Sequence, residues 1–555
     1  MAQSDVRGGG TRRDAGGLVQ DERPGAGTAA AGGGDDGDAG GPGRGRGRRR
    51  GGGRRILRWS ALVLSVLILG TAGAGYLYYR HLNANIDKGK RNAGDSDVRK
   101  AEPNAAGQTP LNILLIGSDS RNSAENVKLG GSRDNVGSKP LADVQMLLHV
   151  SADRESAAVV SIPRDTRVDI PKCTDPDSGE TYPAKNTIIN ESLQRGGPGC
   201  TLATWQELTG VYIDHWMMVD FAGVVDMADA IGGVPVCVNQ NVWDRPLPGQ
   251  RGGSGLKLKA GTHHVQGKQA LQWLRTRHAW GSDPLRAKAQ HMYMNAMIRT
   301  LKKQNVFTDT GRLMGLAEAG TKALKVSEEI GTVKELYDLG MQLKSVPTSR
   351  ITMTTMPWIE DPLNRNHLVP KPEDADRMWA MLRDDVSFDK GGTSGGNGKG
   401  GAGPSPAPAR ATGPAAAPAG GLSVTVVNGT AGEQGAAVPN RAAAIVAALQ
   451  QEGFARAVAS RQQNPLARTQ VTYPKSTGAQ GRANALSVAE AVGIPSGQVR
   501  ATDDITTTLT IGADWREGTT YPEQEPVKAG DLPDSADALT ADKQECMDVY
   551  RPYRW

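Results

Sequence analysis

The run DVQMLLHVSADRESAAVVSIPRDT, residues 143–166, decides the fold. It holds two stretches dense in large aliphatic and β-branched side chains, DVQMLLHVSA and AAVVSIP, and each gives way to a charged loop. Short apolar runs bounded in this way read as buried strands. LNILLIG, residues 111–117, has the same character. Further along, HWMMVDFAGVVDMADAIGG (residues 215–233) reads as an apolar strand leading into an amphipathic helix that stops at Gly232 and Gly233. More helices are expected around residues 268–274, 285–303 and 332–344. Strand and helix signals thus alternate from residue 104 to about 388, which is the pattern of an α/β domain.

A chain of 555 residues exceeds one hydrophobic core, so at least two folded units are expected. The composition shifts at residues 390–420, KGGTSGGNGKGGAGPSPAPARATGPAAAPAG, which build no core and read as a semi-extended tether. After it, LSVTVVNGT, NRAAAIVAALQQEGF, TQVTYP, QGRANALSVAEAVG and TTLTIGADW spell a small βαβαβ domain over residues 421–515, its alanine-rich helix cores matched to the helical period.

The net charge of +6 is located rather than spread, because eight arginines fall between Gly43 and Arg58. Directly after them WSALVLSVLILGTAGAGYLYY, residues 59–79, carries no charge and ends in Tyr76, Tyr78 and Tyr79. At about 1.5 Å per residue it crosses roughly 30 Å of hydrocarbon, with the tyrosines at the interface. A cleaved leader is the competing reading, but leaders usually lie within about the first 30 residues and have shorter apolar cores. The arginines set the expected orientation: residues 1–58 form a disordered Arg/Gly-rich cytoplasmic tail, and the bulk of the chain lies extracellular. Contact of this tail with RNA or anionic lipid is the other use of such a sequence. No nucleic-acid partner is expected for the folded part, and the tail shows no helix-turn-helix pattern.

Cys173, Cys200, Cys237 and Cys546 lie on the expected exterior, where oxidation is permitted. Three pairings are possible. Cys173 and Cys200 are nearest in sequence and flank one Gly/Pro-rich loop, which leaves Cys237 for Cys546. Zinc is a poor alternative without a C-x-x-C spacing.

Asp119 follows LNILLIG in GSDSR, and Asp143 opens the next strand, so two adjoining strand ends each offer a carboxylate. Mg²⁺ is held by one or two such groups with water and phosphate in the remaining positions; solvated turn aspartates are the equal alternative. Arg121, Arg164, Arg275, Arg277 and Arg286 come from several segments. Arg275 and Arg277 share a side if that segment is extended, while Arg286 and Gln290 share a helix face. Gathered guanidinium forks suit a phosphate, which neutralises them; ion pairs with Asp165 and Asp283 are the other reading. There is no G-x-S-x-G elbow of a serine hydrolase.

LNILLIGSDSR, SIPRDT, LTGVYIDHWMMVDFAGVVDMADAIGGV and ALQWLRTRHAWGSDPLRAKAQ, in that order, resemble the LytR-CpsA-Psr (LCP) family of cell-wall ligases, and residues 421–515 resemble the LytR C-terminal domain that follows such domains, chiefly in actinobacteria. The resemblance implies an α-β-α sandwich and a phosphotransferase that moves a glycopolymer from a polyprenyl-pyrophosphate carrier onto peptidoglycan. It also implies Mg²⁺ linked to Asp119 and Asp143, a pyrophosphate clamp of Arg121, Arg164, Arg275, Arg277 and Arg286, and Gln290 beside it. Arg164 and Asp165 then join Asp119 and Asp143 as catalytic candidates; His278 reads better as a surface residue. LADV (residues 141–144) departs from the family's Arg-x-Asp-Thr type, and Ala289 stands where a second arginine is common. Lys139 and Lys288 are the nearest replacement cations. Met217, Met218, Phe221, Val225 and Ile231 suit either a lipid tunnel or plain core packing. Teichoic acid, capsule and arabinogalactan remain equal as the polymer. A noncatalytic precursor-binding scaffold, or a regulator in the family's older naming, are the rival functions. The expected organisation is a tail (1–58), a transmembrane helix (59–79), a juxtamembrane linker (80–107), the LCP domain (108–388), a second linker (389–420), the LytR domain (421–515) and a C-terminal tail (516–555).

Overall fold

The computed structural model describes residues 52–118, 139–303, 309–391 and 414–555, apart from residues 97, 105, 433, 434, 467, 503 and 523–525. Helix α1 (Gly52–Asn85) contains, at Leu57–Asn85, a stretch long and apolar enough to cross a membrane. Residues 1–71 form one unit and residues 72–555 another.

In the second unit the chain builds a mixed sheet from β1 (Asp87–Gly89), β2 (Leu111–Ser118), β3 (Ala142–Val150) and β4 (Ala157–Ser161). Helix α2 (Gly197–Thr209), β5 (His215–Val219) and α3 (Phe221–Ala230) follow. Then come α4 (Gly267–Arg275), α5 (Asp283–Lys303), α6 (Thr310–Ala323), β6 (Leu324–Ser327), α7 (Val333–Ser345), β7 (Ile351–Thr355) and α8 (Asp374–Arg383). Side chains of successive strand residues leave opposite faces. Accordingly Leu114 and Ile116 pack with Trp205 of α2 and Trp379 of α8, whereas Ile113 and Met146 pack with Leu339 of α7. Both faces are covered by helices, which produces the α-β-α sandwich.

The second domain contains β8 (Ser423–Asn428), α9 (Arg441–Gln451), β9 (Arg456–Gln463), β10 (Gln470–Pro474), α10 (Gly478–Ala491), β11 (Val499–Thr502) and β12 (Thr507–Ile511). Its sheet order is β9-β8-β12-β10-β11, so β9 and β11 add to the three strands read from the sequence. Both were missed because they lack strand-like alternation: β9 is nearly all exposed, and β11 has four residues.

Two expected boundaries are corrected. Residues 80–107 are not a free linker, since Leu82 and Ile86 are buried and β1 pairs in parallel with β6. Gly94 lies so close to this body that a Cβ there would sit 2.6 Å from Ala203. Residues 516–555 are not a loose tail either. They return to the first sheet as β13 (Leu539–Thr540), antiparallel to β7, and complete the order β1-β6-β5-β2-β3-β4-β7-β13. Leu539, Met547, Val549 and Tyr553 are buried in one cluster with Trp273 and Trp280. These apolar residues have no helical or strand period, so the segment gave no sequence signal. The structure joins Cys173 to Cys200 and Cys237 to Cys546. Of the second linker, residues 392–413 lie outside the described residues.

Candidate functional site

The register of β2 on β3 places Ser118 opposite Ala142, with an irregularity just before it. Gly117 faces Val144, and a Cβ on it would come within 2.9 Å of the valine Cβ, so a side chain there would push the strands apart. Asp143 follows Ala142 and projects from the start of β3. Gln145 anchors this edge from beneath: it is buried, its side-chain oxygen accepts from Trp205 Nε1 at 2.7 Å, and its carbonyl accepts from Ile162 N–H at 3.2 Å.

Beyond β4 the chain turns at Pro163. Thr166 N–H and Oγ1 both donate to the Pro163 carbonyl, at 3.0 and 2.6 Å, and Leu368 N–H donates to the Asp165 carbonyl at 3.1 Å. This fixed turn aims Arg164 back at β3, where its Nη1 donates to Asp143 Oδ1 at 2.8 Å and its Nε lies 3.5 Å from Asp165 Oδ2. A bidentate pair, Arg167 with Asp361 at 2.5 and 2.9 Å, secures the neighbouring hairpin, and the arginine's hydrogen bonds hold the Asp361 carboxyl at about 2.

From the other side α5 brings Arg286, buried at 9% exposure, whose Nη2 lies 3.4 Å from the Asp143 carbonyl oxygen. Asp143, Arg164, Asp165 and Arg286 therefore meet. Gln290 is placed differently: its amide donates to the Leu274 carbonyl at 3.1 Å, satisfying one of the open carbonyls that end α4. Arg275 is the last residue of α4 and Arg277 lies just past it, so the extended spacing read for this pair is replaced by a helix terminus. Asp119 and Arg121 lie outside the described residues.

The loop carrying Arg277 is held by groups the sequence did not single out. Trp273 Nε1 donates to the Ala289 carbonyl at 3.0 Å, and Trp273 packs edge-on against Trp280 at 5.0 Å. Tyr550 N–H donates to the Ala279 carbonyl at 2.8 Å, and Tyr553 stacks on His278 at 6.2 Å. His278 is thus a packing partner of the returning chain. Lys139 and Lys288, considered as replacement cations, are already ion-paired: Lys139 with Glu180 at 3.2 Å and Asp175 at 3.8 Å, Lys288 with Asp537 at 3.3 Å and Glu545 at 3.7 Å. Met217 and Met218 point to opposite faces of the sheet, one packed with Leu339 and the other with Trp205.

Residues 76–384 match the model of the LytR_cpsA_psr family. The chain belongs to that family. Residues 421–515 match a second model, the LytR cell envelope-related transcriptional attenuator. Among curated relatives, the cell wall biosynthesis protein LcpA of Corynebacterium glutamicum is 28% identical over 330 residues, which is 55% of this chain and 60% of the relative. The polyisoprenyl-teichoic acid–peptidoglycan teichoic acid transferase TagT of Bacillus subtilis is 26% identical over 308 residues, 54% of this chain and 87% of the relative. A solved LytR-Csp2A-Psr enzyme from Actinomyces oris is 17% identical, covers 53% of this chain and 97% of its own, and has a TM-score of 0.38. The chain thus spans about three fifths of the length of the LcpA relative.

In this LCP protein the helix that carries Arg286 and Gln290 also buries His291 at 1% exposure, and burial pushes its imidazole down to about 4 from 6.5. The folded state keeps the ring neutral while the unfolded chain takes up a proton below about pH 6.5. Stability should therefore fall as pH drops from about 6.5 towards 4, by about 3 kcal/mol in all. Urea unfolding against pH checks this: His291→Gln should flatten the slope in that window, and an unchanged slope would refute it.

Proposed function

We propose that the chain is a membrane-anchored, extracytoplasmic phosphotransferase that moves a glycopolymer from a polyprenyl-pyrophosphate carrier onto peptidoglycan. The observation that carries this reading is the meeting of Arg164 and Arg286, from segments far apart in sequence, on Asp143. Asp119 and Arg121 follow within three residues of Ser118, which pairs beside Asp143. Family membership and the activity named for TagT support the same chemistry. The run of arginines before α1 supports a cytoplasmic N-terminus, and two disulfides agree with an oxidising exterior for the bulk.

In this reading Arg164 and Arg286, with Arg121, Arg275 and Arg277, hold the two phosphates of the carrier and stabilise charge as it shifts between them. The acceptor hydroxyl oxygen of peptidoglycan forms a bond to the phosphorus that bears the glycan. The bond from that phosphorus to the bridging oxygen breaks, and polyprenyl phosphate leaves with the electron pair. The hydroxyl proton passes to a carboxylate, for which Asp165, 3.5 Å from Arg164 and not assigned to the metal, is the candidate. Asp143 engages Arg164 through Oδ1 alone among the described residues, so Oδ2 can accept a hard cation. Asp143 and Asp119 would hold Mg²⁺, whose charge would offset that of the phosphate oxygens.

The test uses the full-length protein in nanodiscs with a lipid-pyrophosphate glycan, peptidoglycan and Mg²⁺. Wild type should make a phosphodiester-linked product, and Asp119→Ala should lose it. Tight binding of the lipid with no product from wild type would instead establish the scaffold.

A further inference from the structure

A cavity of about 1360 Å³ lies between the two domains of residues 72–555, and nothing in the transfer chemistry uses it. Asn112, near the start of β2, lines it, whereas Asp143 lies beside the other end of that eight-residue strand. At about 3.3 Å per residue the two places are roughly 20 Å apart. The volume exceeds the roughly 300–1,000 Å³ of a small-molecule pocket and suits an extended chain of several units.

Its walls are polar and rich in cations contributed by both domains. Arg383 comes from α8 of the first domain, and Arg468, Arg482 and Arg500 come from the second. Two of these arginines join the domains: Arg468 pairs with Asp376, and Arg500 Nη1 donates to the Glu207 carbonyl at 2.7 Å. Arg383 and Arg482 have no carboxylate within ion-pairing distance among the described residues, and Arg383 Nη1 donates only to the Thr209 carbonyl at 2.7 Å. Burial first, and then repulsion from Arg468, lowers the Arg383 guanidinium below its usual range despite the opposing pull of Asp384 and Asp376. The lining as a whole carries seven cationic side chains against five carboxylates, Asp95, Asp169, Glu207, Asp376 and Asp384, so positive charge is in excess. The first turn of α10 also opens here: Gly478 and Ala479 line the cavity beside Arg482, and that turn has neither an acidic residue nor a side-chain cap. Its open N–H groups add to the positive potential.

We propose that this cleft binds a segment of anionic glycan, a saccharide chain bearing phosphate or carboxylate groups. The size favours a chain over an isolated ion, and the cations contributed by both walls favour negative charge over a neutral sugar. The site goes beyond the transferase reading and does not depend on it, because its assay measures binding alone.

The experiment measures binding of a fluorescent phosphorylated dextran oligosaccharide to the full-length protein in nanodiscs, beside the unphosphorylated parent and inorganic phosphate. The phosphorylated probe should bind at least about tenfold tighter than the parent and weaken as salt is raised, and Arg482→Glu should lose about tenfold in affinity. Arg99→Glu, an exposed change on the facing wall, should weaken binding in the same direction without the risk of misfolding. Equal affinity for charged and neutral probes would overturn the proposal. So would unaltered binding in both variants, or competition by inorganic phosphate at the probe's own concentration.

Discussion

Arg164→Ala should lower glycopolymer transfer by about a thousandfold or more, with kcat carrying most of the loss. An arginine that stabilises charge on a transferring phosphoryl group is worth about 10³ to 10⁵ in rate, and Arg164 is the hub that touches both Asp143 and Asp165. Arg164→Lys should recover only a small part, because an ammonium offers a point charge where the guanidinium offers a planar fork. The side chain is 23% exposed, so the melting temperature should move little. Single-turnover kinetics with a defined lipid-linked donor separate this from a binding defect. A variant that turns over at the wild-type rate would remove Arg164 from the chemistry.

Breaking the Cys237–Cys546 bond should have the largest effect on stability. That bond closes 309 residues, against 27 for Cys173–Cys200. In the chain-entropy description the longer closure stabilises by about 6 kcal/mol and the shorter by about 3.5 kcal/mol, native strain aside. Cys546→Ser should therefore lower the melting temperature by several degrees and by more than Cys200→Ser. It should also expose residues 539–555 to protease, because β13 and the cluster around Tyr553 lose their covalent anchor. Transfer should fall as well, since Tyr550 and Tyr553 support Ala279 and His278 in the loop that follows Arg277. Equal melting of the two variants would show that the returning segment is held by packing alone.

In the first sheet β2, β3 and β4 were legible because each is a dense apolar run buried on both faces, and Leu114, Leu147 and Val160 leave little other reading, whereas β1 (DKG) and β6 (LKVS) offer no such run. The arginines could be named from sequence, but their grouping could not. Arg164 meets Asp143 only because the Pro163 turn folds back over β3, and Arg286 arrives by way of a helix 143 residues further on. Gln145 and Trp205 escaped notice since a buried amide–indole hydrogen bond has no spacing rule. The returning chain was illegible for a different reason: Leu539, Met547 and Tyr553 are core residues carried on loop, where burial follows from what lies opposite and not from any period.

Since residues 539–553 complete the core around Trp273, the second domain sits topologically as an insertion rather than an appendage. Synthesis from the N-terminus presents β1 to β7 long before the strand that closes their edge. The first sheet would then wait, one edge open and Cys237 unpaired, until the entire second domain had emerged. A truncation at residue 515 would thereby yield an unfinished core instead of a shorter protein.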